Sequence, residues 1–154
     1  MATYPLEAPI PHGFPVILDT NVVLSLWMFE DPALVPLRRA VEAGALTLFS
    51  REDCLTELSR VLAYSQFKQP PERQIDIAAG YLARCTLIEA TETPACELPN
   101  CLDRDDQKFL EVARDSGAHA LLSRDKLVLK LARRPVIASR FAILTPERFQ
   151  ALLP

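Results

Sequence analysis

Five consecutive apolar residues, FPVIL from Phe14 to Leu18, lead into the charged Asp19. A short unbroken run of this kind, with β-branched members, predicts a strand covered on both faces. The next residues, NVVLSLWMF, are too apolar for a surface segment and predict a partly buried helix. Pro32 and Pro36 punctuate the chain, and Leu37 to Ala43 predicts a short helix that Gly44 stops. LTLF predicts a second strand. Ser50 and Asp53, at capping-box spacing, predict the start of a helix in which Leu55, Leu58, Val61 and Leu62 share one face. At 100° per residue, Glu57 falls at the border of that stripe, beside Val61 and Cys54.

Pro70 and Pro71 open a further helix, with Ile75, Ala78, Ala79 and Leu82 expected on its inward side, and TLIE after it predicts a third strand. ATETPACELPNC reads as a loop. Asp103 to Ser116 predicts a helix with Phe109, Leu110 and Ala113 inward and Gly117 at its end, followed by a strand at HALL. KLVLKLA predicts a short helix and FAIL a last strand. Thr145, Pro146 and Glu147 supply an N-cap, an N1 proline and a first-turn acid for a terminal helix. This alternation predicts an α/β fold, a three-layer α/β/α sandwich with a mainly parallel central sheet. No internal repeat or low-complexity segment interrupts it.

A chain of 154 residues with 49% hydrophobic and 24% charged residues has the composition of one ordinary globular domain. Residues 1–15 carry Pro5, Pro9, Pro11 and Pro15 and no basic cluster, so they are expected to form an extended proline-rich arm before a domain spanning 16–154. No apolar stretch reaches the roughly 18 residues needed to cross a bilayer, so no membrane association is expected and the cytoplasm is the expected location. The net charge of −3 argues against nucleic-acid binding by a generally basic surface. Cys54, Cys85, Cys96 and Cys101 are expected as reduced thiols. They lack the C-x-x-C and His spacing of a zinc site.

The acids carry the chemistry. In open parallel sheets, ligands bind beyond the carboxyl ends of the strands, near the point where strand order reverses. Asp19 ends the first strand and Asp125 lies just past the fourth. Asp103, Asp105 and Asp106 open the helix leading into the fourth strand, and Glu57 stands in the second turn of the helix after strand two. Each of these is individually explained as a helix cap or a solvated acid. Their convergence on one sheet edge is what favours a site. Two like charges 4 Å apart repel by about 1 kcal/mol in water and about 4 kcal/mol at an effective dielectric of 20, so a cluster calls for cations. Hard oxygen ligands favour Mg²⁺ or Mn²⁺, and such ions serve phosphate-ester chemistry.

VILDTNVVLS, LTELSRVL, CLDRDDQKFLEVA, LLSRDKLVL and ILTPERF, in this order, resemble the PIN-domain nucleases, especially the bacterial ones paired with antitoxins. The resemblance covers Val16 to Phe149. It implies a ribonuclease dependent on Mg²⁺ or Mn²⁺, with Asp19, Glu57, Asp106 and Asp125 as catalytic acids. These four, with Asp103, would be metal ligands, and Thr20, Asn21 and Ser123 would support them. It further implies RNA as substrate, an antitoxin chain covering the acidic pocket, and a homodimer. Two positions depart from the family pattern. Arg104 stands where many relatives have proline, and Arg124 stands where glycine commonly precedes the last aspartate. Arg124 either contacts phosphate or crowds a metal.

Lys126, Lys130, Arg133, Arg134 and Arg140 continue a basic stripe from Arg124, suited to an RNA backbone or to a solvated helix face. Arg124 and Lys126 are the expected phosphate contacts. Trp27 and Phe29 are expected in the core. His12 and His119 have no Ser or Cys partner at triad spacing, and no glycine-rich nucleotide loop is present. The alternative is a non-catalytic, PIN-like or receiver-like metal-binding module. A receiver would need paired acids after strand one and a lysine after the last strand, whereas DTN supplies one acid and ILTPE no lysine.

Overall fold

A computed structural model describes residues 2–154. Five strands, β1 (Phe14–Leu18), β2 (Leu46–Ser50), β3 (Cys85–Leu87), β4 (Ala120–Leu122) and β5 (Ala142–Leu144), form one sheet in the order β3-β2-β1-β4-β5. Every neighbouring pair is parallel. The chain therefore builds outward from β1 through β2 to β3, then returns to the other side of β1 for β4 and β5. The strand order reverses at β1 and β4, so their carboxyl ends flank the crevice where a ligand is expected.

Eight α-helices cover the sheet among the described residues: α1 (Thr20–Trp27), α2 (Val35–Glu42), α3 (Glu52–Leu62), α4 (Pro71–Arg84), α5 (Gln107–Ser116), α6 (Lys126–Leu129), α7 (Pro135–Ala138) and α8 (Pro146–Gln150). The period-two alternation of the strands divides the core. Val16, Leu18, Leu48, Ala120, Leu122 and Leu144 face a layer built with Val22, Leu26, Leu37, Leu58, Leu62 and Phe149. Ile17, Leu121 and Ile143 face the opposite layer with Phe109, Leu110, Ala113, Ile137 and Phe141. Both faces are covered, which gives the three-layer arrangement. No helix among the described residues is long and apolar enough to cross a membrane.

Several local expectations are corrected. Ser50 is the last residue of β2 and does not cap α3; Arg51 occupies the cap position without a side-chain cap bond. Asp53 instead accepts from the Cys54 N–H and from the Arg51 guanidinium. On α4 the buried residues are Ile77 and Tyr81, while Ile75 and Leu82 are exposed. The helix carries two apolar stripes, and the one with the larger aromatic packs inward, where Tyr81 meets Trp27 at 5.8 Å between ring centroids. Phe29 is exposed, not in the core, and lies edge-on to Phe67.

Among the described residues no helix or strand precedes Phe14, yet the N-terminal segment packs on the body of the fold. Ile10 is buried, its N–H bonds to the Leu152 carbonyl, and Tyr4 Oη pairs with His119 Nδ1 at 2.6 Å. β1 opens at Phe14, within the stretch assigned to the arm.

Candidate metal centre

Asp19 follows the last residue of β1 and caps α1, its Oδ1 accepting from the Val22 N–H at 2.9 Å. It is 3% exposed. Burial pushes its carboxyl up to about 6, and the charges of Asp125 and Glu57 add to the rise; hydrogen bonds from Ser123 and the Val22 N–H oppose it.

The loop after β4 carries Ser123, Arg124 and Asp125. Ser123 is fully buried, and its Oγ accepts from the Asp125 N–H at 3.0 Å. Asp125 caps α6 by accepting from the Leu127 N–H at 2.8 Å. The third segment, expected to be helical from Asp103, begins instead as a single 3-10 turn over Arg104–Asp106, and α5 starts at Gln107. Asp103 caps that turn through the Asp105 N–H at 3.0 Å. Backbone donors thus fix the carboxylates of Asp19, Asp103 and Asp125 as caps, whereas Asp106 makes no side-chain cap bond.

One oxygen from each of Asp103, Asp106 and Asp125 lies within 4.8 Å of the other two. Asp106 Oδ2 is buried, and no hydrogen-bond donor reaches it. Burial, the Asp125 carboxyl and the charges of Asp103, Asp125 and Asp19 push the Asp106 carboxyl up to about 8. A buried acceptor without a donor, among three carboxylates and beside a fourth, fits a hard divalent cation.

Glu57 is expected among the ligands but does not belong to that close trio. Its Oε2 accepts from Thr20 Oγ1, and its Oε1 accepts from Lys108 Nζ at 2.8 Å. Thr20 therefore touches the acid edge through Glu57. Asn21 is exposed and contributes its carbonyl to the Ser25 hydroxyl, within α1. Sequence reasoning missed Lys108. A lysine on the second residue of α5 gives no signal of reaching a glutamate 51 positions earlier in the chain.

Arg124 is engaged by protein groups. Its guanidinium bonds Ser25 Oγ at 2.9 Å and Asp31 Oδ2 at 3.2 Å, and pairs with Glu147. It neither points free to solvent nor joins the acid cluster. Lys126, Lys130, Arg133, Arg134 and Arg140 are exposed.

A parallel α/β/α domain with a carboxylate cluster at its switch point defines the class. The family model described as PIN domain matches residues 15–127, and the chain belongs to this family of nucleases. Among solved structures, the chain is similar to VapBC2 from Rickettsia felis, solved with a DNA fragment from their promoter. The TM-score is 0.55 at 16% identity, over 85% of this chain and 97% of that one. That likeness supports the fold. No curated protein matches the chain.

Proposed function

We propose that this protein is a divalent-metal-dependent endoribonuclease, the toxin of a toxin–antitoxin pair acting in the cytoplasm. The observation that carries the reading is the Asp103, Asp106 and Asp125 trio, with a buried Asp106 oxygen that has no donor, next to Asp19 at the carboxyl ends of β1 and β4. Asp103, Asp106 and Asp125 would hold Mg²⁺ or Mn²⁺, with Asp19 beside them. When bound, such an ion lowers the pKa of water and neutralises charge on a phosphodiester undergoing displacement. Ser123, bonded to the Asp125 N–H, would keep Asp125 in register with Asp19. Glu57, braced by Thr20, borders the site. Lys126 and the exposed basic residues that follow it would meet the RNA backbone.

The antitoxin partner is supported by the sequence resemblance and by likeness to a VapBC assembly. Its chain would cover the acidic edge with cationic side chains, and the functional unit would be a homodimer. Asp19→Asn keeps the side-chain shape and removes the charge. It should abolish Mg²⁺- or Mn²⁺-dependent cleavage of defined tRNAs and mRNAs, with EDTA abolishing wild-type cleavage and circular dichroism unchanged by the substitution. Undiminished cleavage by this variant would refute the reading. Metal binding without cleavage of any RNA or DNA would favour the non-catalytic module.

A further inference from the structure

The acids at the sheet edge fall into two groups that the protein treats differently. At Asp106 an oxygen is buried and no donor approaches it. At Glu57 both oxygens already receive donors. The Thr20 hydroxyl donates to Oε2 and the Lys108 ammonium to Oε1, with Arg60 farther out at 3.8 Å. The Glu57 side chain is 10% exposed and that of Lys108 is 16% exposed, so this is a nearly dry ion pair and not a surface contact.

Lys108 is held from other directions as well. Its Nζ donates to the Asp105 carbonyl and lies 5.4 Å from the centroid of the Phe109 ring. It belongs to the first turn of α5, where a cation opposes the helix dipole and an acid would be the favourable residue. A lysine in that unfavourable position is explained by what its ammonium reaches.

On the nuclease reading above, which this inference presupposes, we infer that Lys108 is a built-in counter-ion for Glu57 in place of a second divalent cation, so that the site takes a single ion at Asp103, Asp106 and Asp125. Lys108 is a positioning residue on this account. It keeps Glu57 turned towards Thr20 and α1, and leaves the Asp106 side of the cluster as the part that requires a metal.

The test uses the full-length protein and Mn²⁺ alone, without RNA. Isothermal titration should give one Mn²⁺ per chain for the wild type, and electron paramagnetic resonance at excess Mn²⁺ should show no spin-coupled pair. Glu57→Gln should leave the stoichiometry at one with affinity changed by less than about threefold, whereas Asp106→Asn should abolish binding. Lys108→Met should bind two ions with a spin-coupled signal, Lys108→Arg should restore one, and Lys108→Met combined with Glu57→Gln should return to one. Two coupled ions in the wild type, or a tenfold loss of affinity in Glu57→Gln, would overturn the inference while leaving a metal-dependent nuclease standing. Those two measurements do not depend on Lys108→Met folding. A folded Lys108→Met that still binds one ion would also overturn it. Absence of Mn²⁺ binding in the wild type would overturn both this inference and the reading beneath it.

Discussion

Asp19 is a carboxyl placed where water cannot reach it, and its proton is held up to about pH 6, against 3.8 for the ordinary group. The sign of the consequence is fixed by linkage. Between those two values the folded chain binds more protons than the unfolded one, so metal-free stability is greatest below the lower value and is lost as pH rises through the upper. From pH 5 to 7.5 Asp19 should withdraw about 1.4 kcal/mol, and Asp106, raised to about 8, extends the decline beyond neutrality. Urea denaturation in EDTA should therefore show the wild type more stable at pH 5 than at pH 7.5. In Asp19→Asn that slope should be shallower. A wild type that gains stability with rising pH over this range would contradict the burial of Asp19. At this scale Asp19, Asp103 and Asp125 were legible in the sequence because each follows a strand or opens a turn, where a cap is wanted anyway, whereas Glu57 lies inside α3 and only periodicity pointed to it. The donor side was not legible. Lys108 and Arg124 reach partners 51 and 93 to 99 positions away, and the length of their side chains hides the target.

Between elements, Arg124 ties the loop after β4 to α1 through Ser25, to the segment after α1 through Asp31, and to α8 through Glu147. The arginine thus makes a three-way clasp next to Asp125. Partly exposed ion pairs contribute roughly 0–1 kcal/mol each. Arg124→Ala should lower stability by about 1 kcal/mol in urea and leave the salt dependence of RNA binding unchanged. Lys126→Ala should do the reverse, preserving stability while flattening the log K against log[salt] slope by about 0.7, as for one phosphate contact to a single strand. If Arg124→Ala flattens that slope, Arg124 leaves its clasp to meet phosphate. The strands were readable because a parallel sheet covered on both faces needs short apolar runs, and FPVIL, LTLF and FAIL are such runs. The inward face of α4 was not, since Ile75, Ala79 and Leu82 repeat at the same period as Ile77 and Tyr81. Periodicity finds a stripe; packing against Trp27 chooses between two.

For the whole molecule, the proposed metal site would couple to the fold through protons. The topology brings β1 and β4 side by side, so that Asp19 and Asp125 face the turn of Asp103 to Asp106 across the crevice. Without an ion, proton uptake is how this edge relieves its charge; with one, the protons must leave. Mn²⁺ affinity should consequently rise with pH between about 6 and 8, by roughly tenfold per unit where one proton is displaced. An ion present at a hundredfold excess over its Kd stabilises the fold by about 2.7 kcal/mol, which for a chain of this length is on the order of 5–10 °C in Tm. The metal-induced rise in Tm should therefore be large at pH 8 and slight at pH 5, opposite in trend to the stability of the metal-free chain. Asp106→Asn should remove the rise at pH 8. Calorimetry with and without Mn²⁺ at the two pH values checks this, and an equal rise at both would place the ion away from the buried carboxylates.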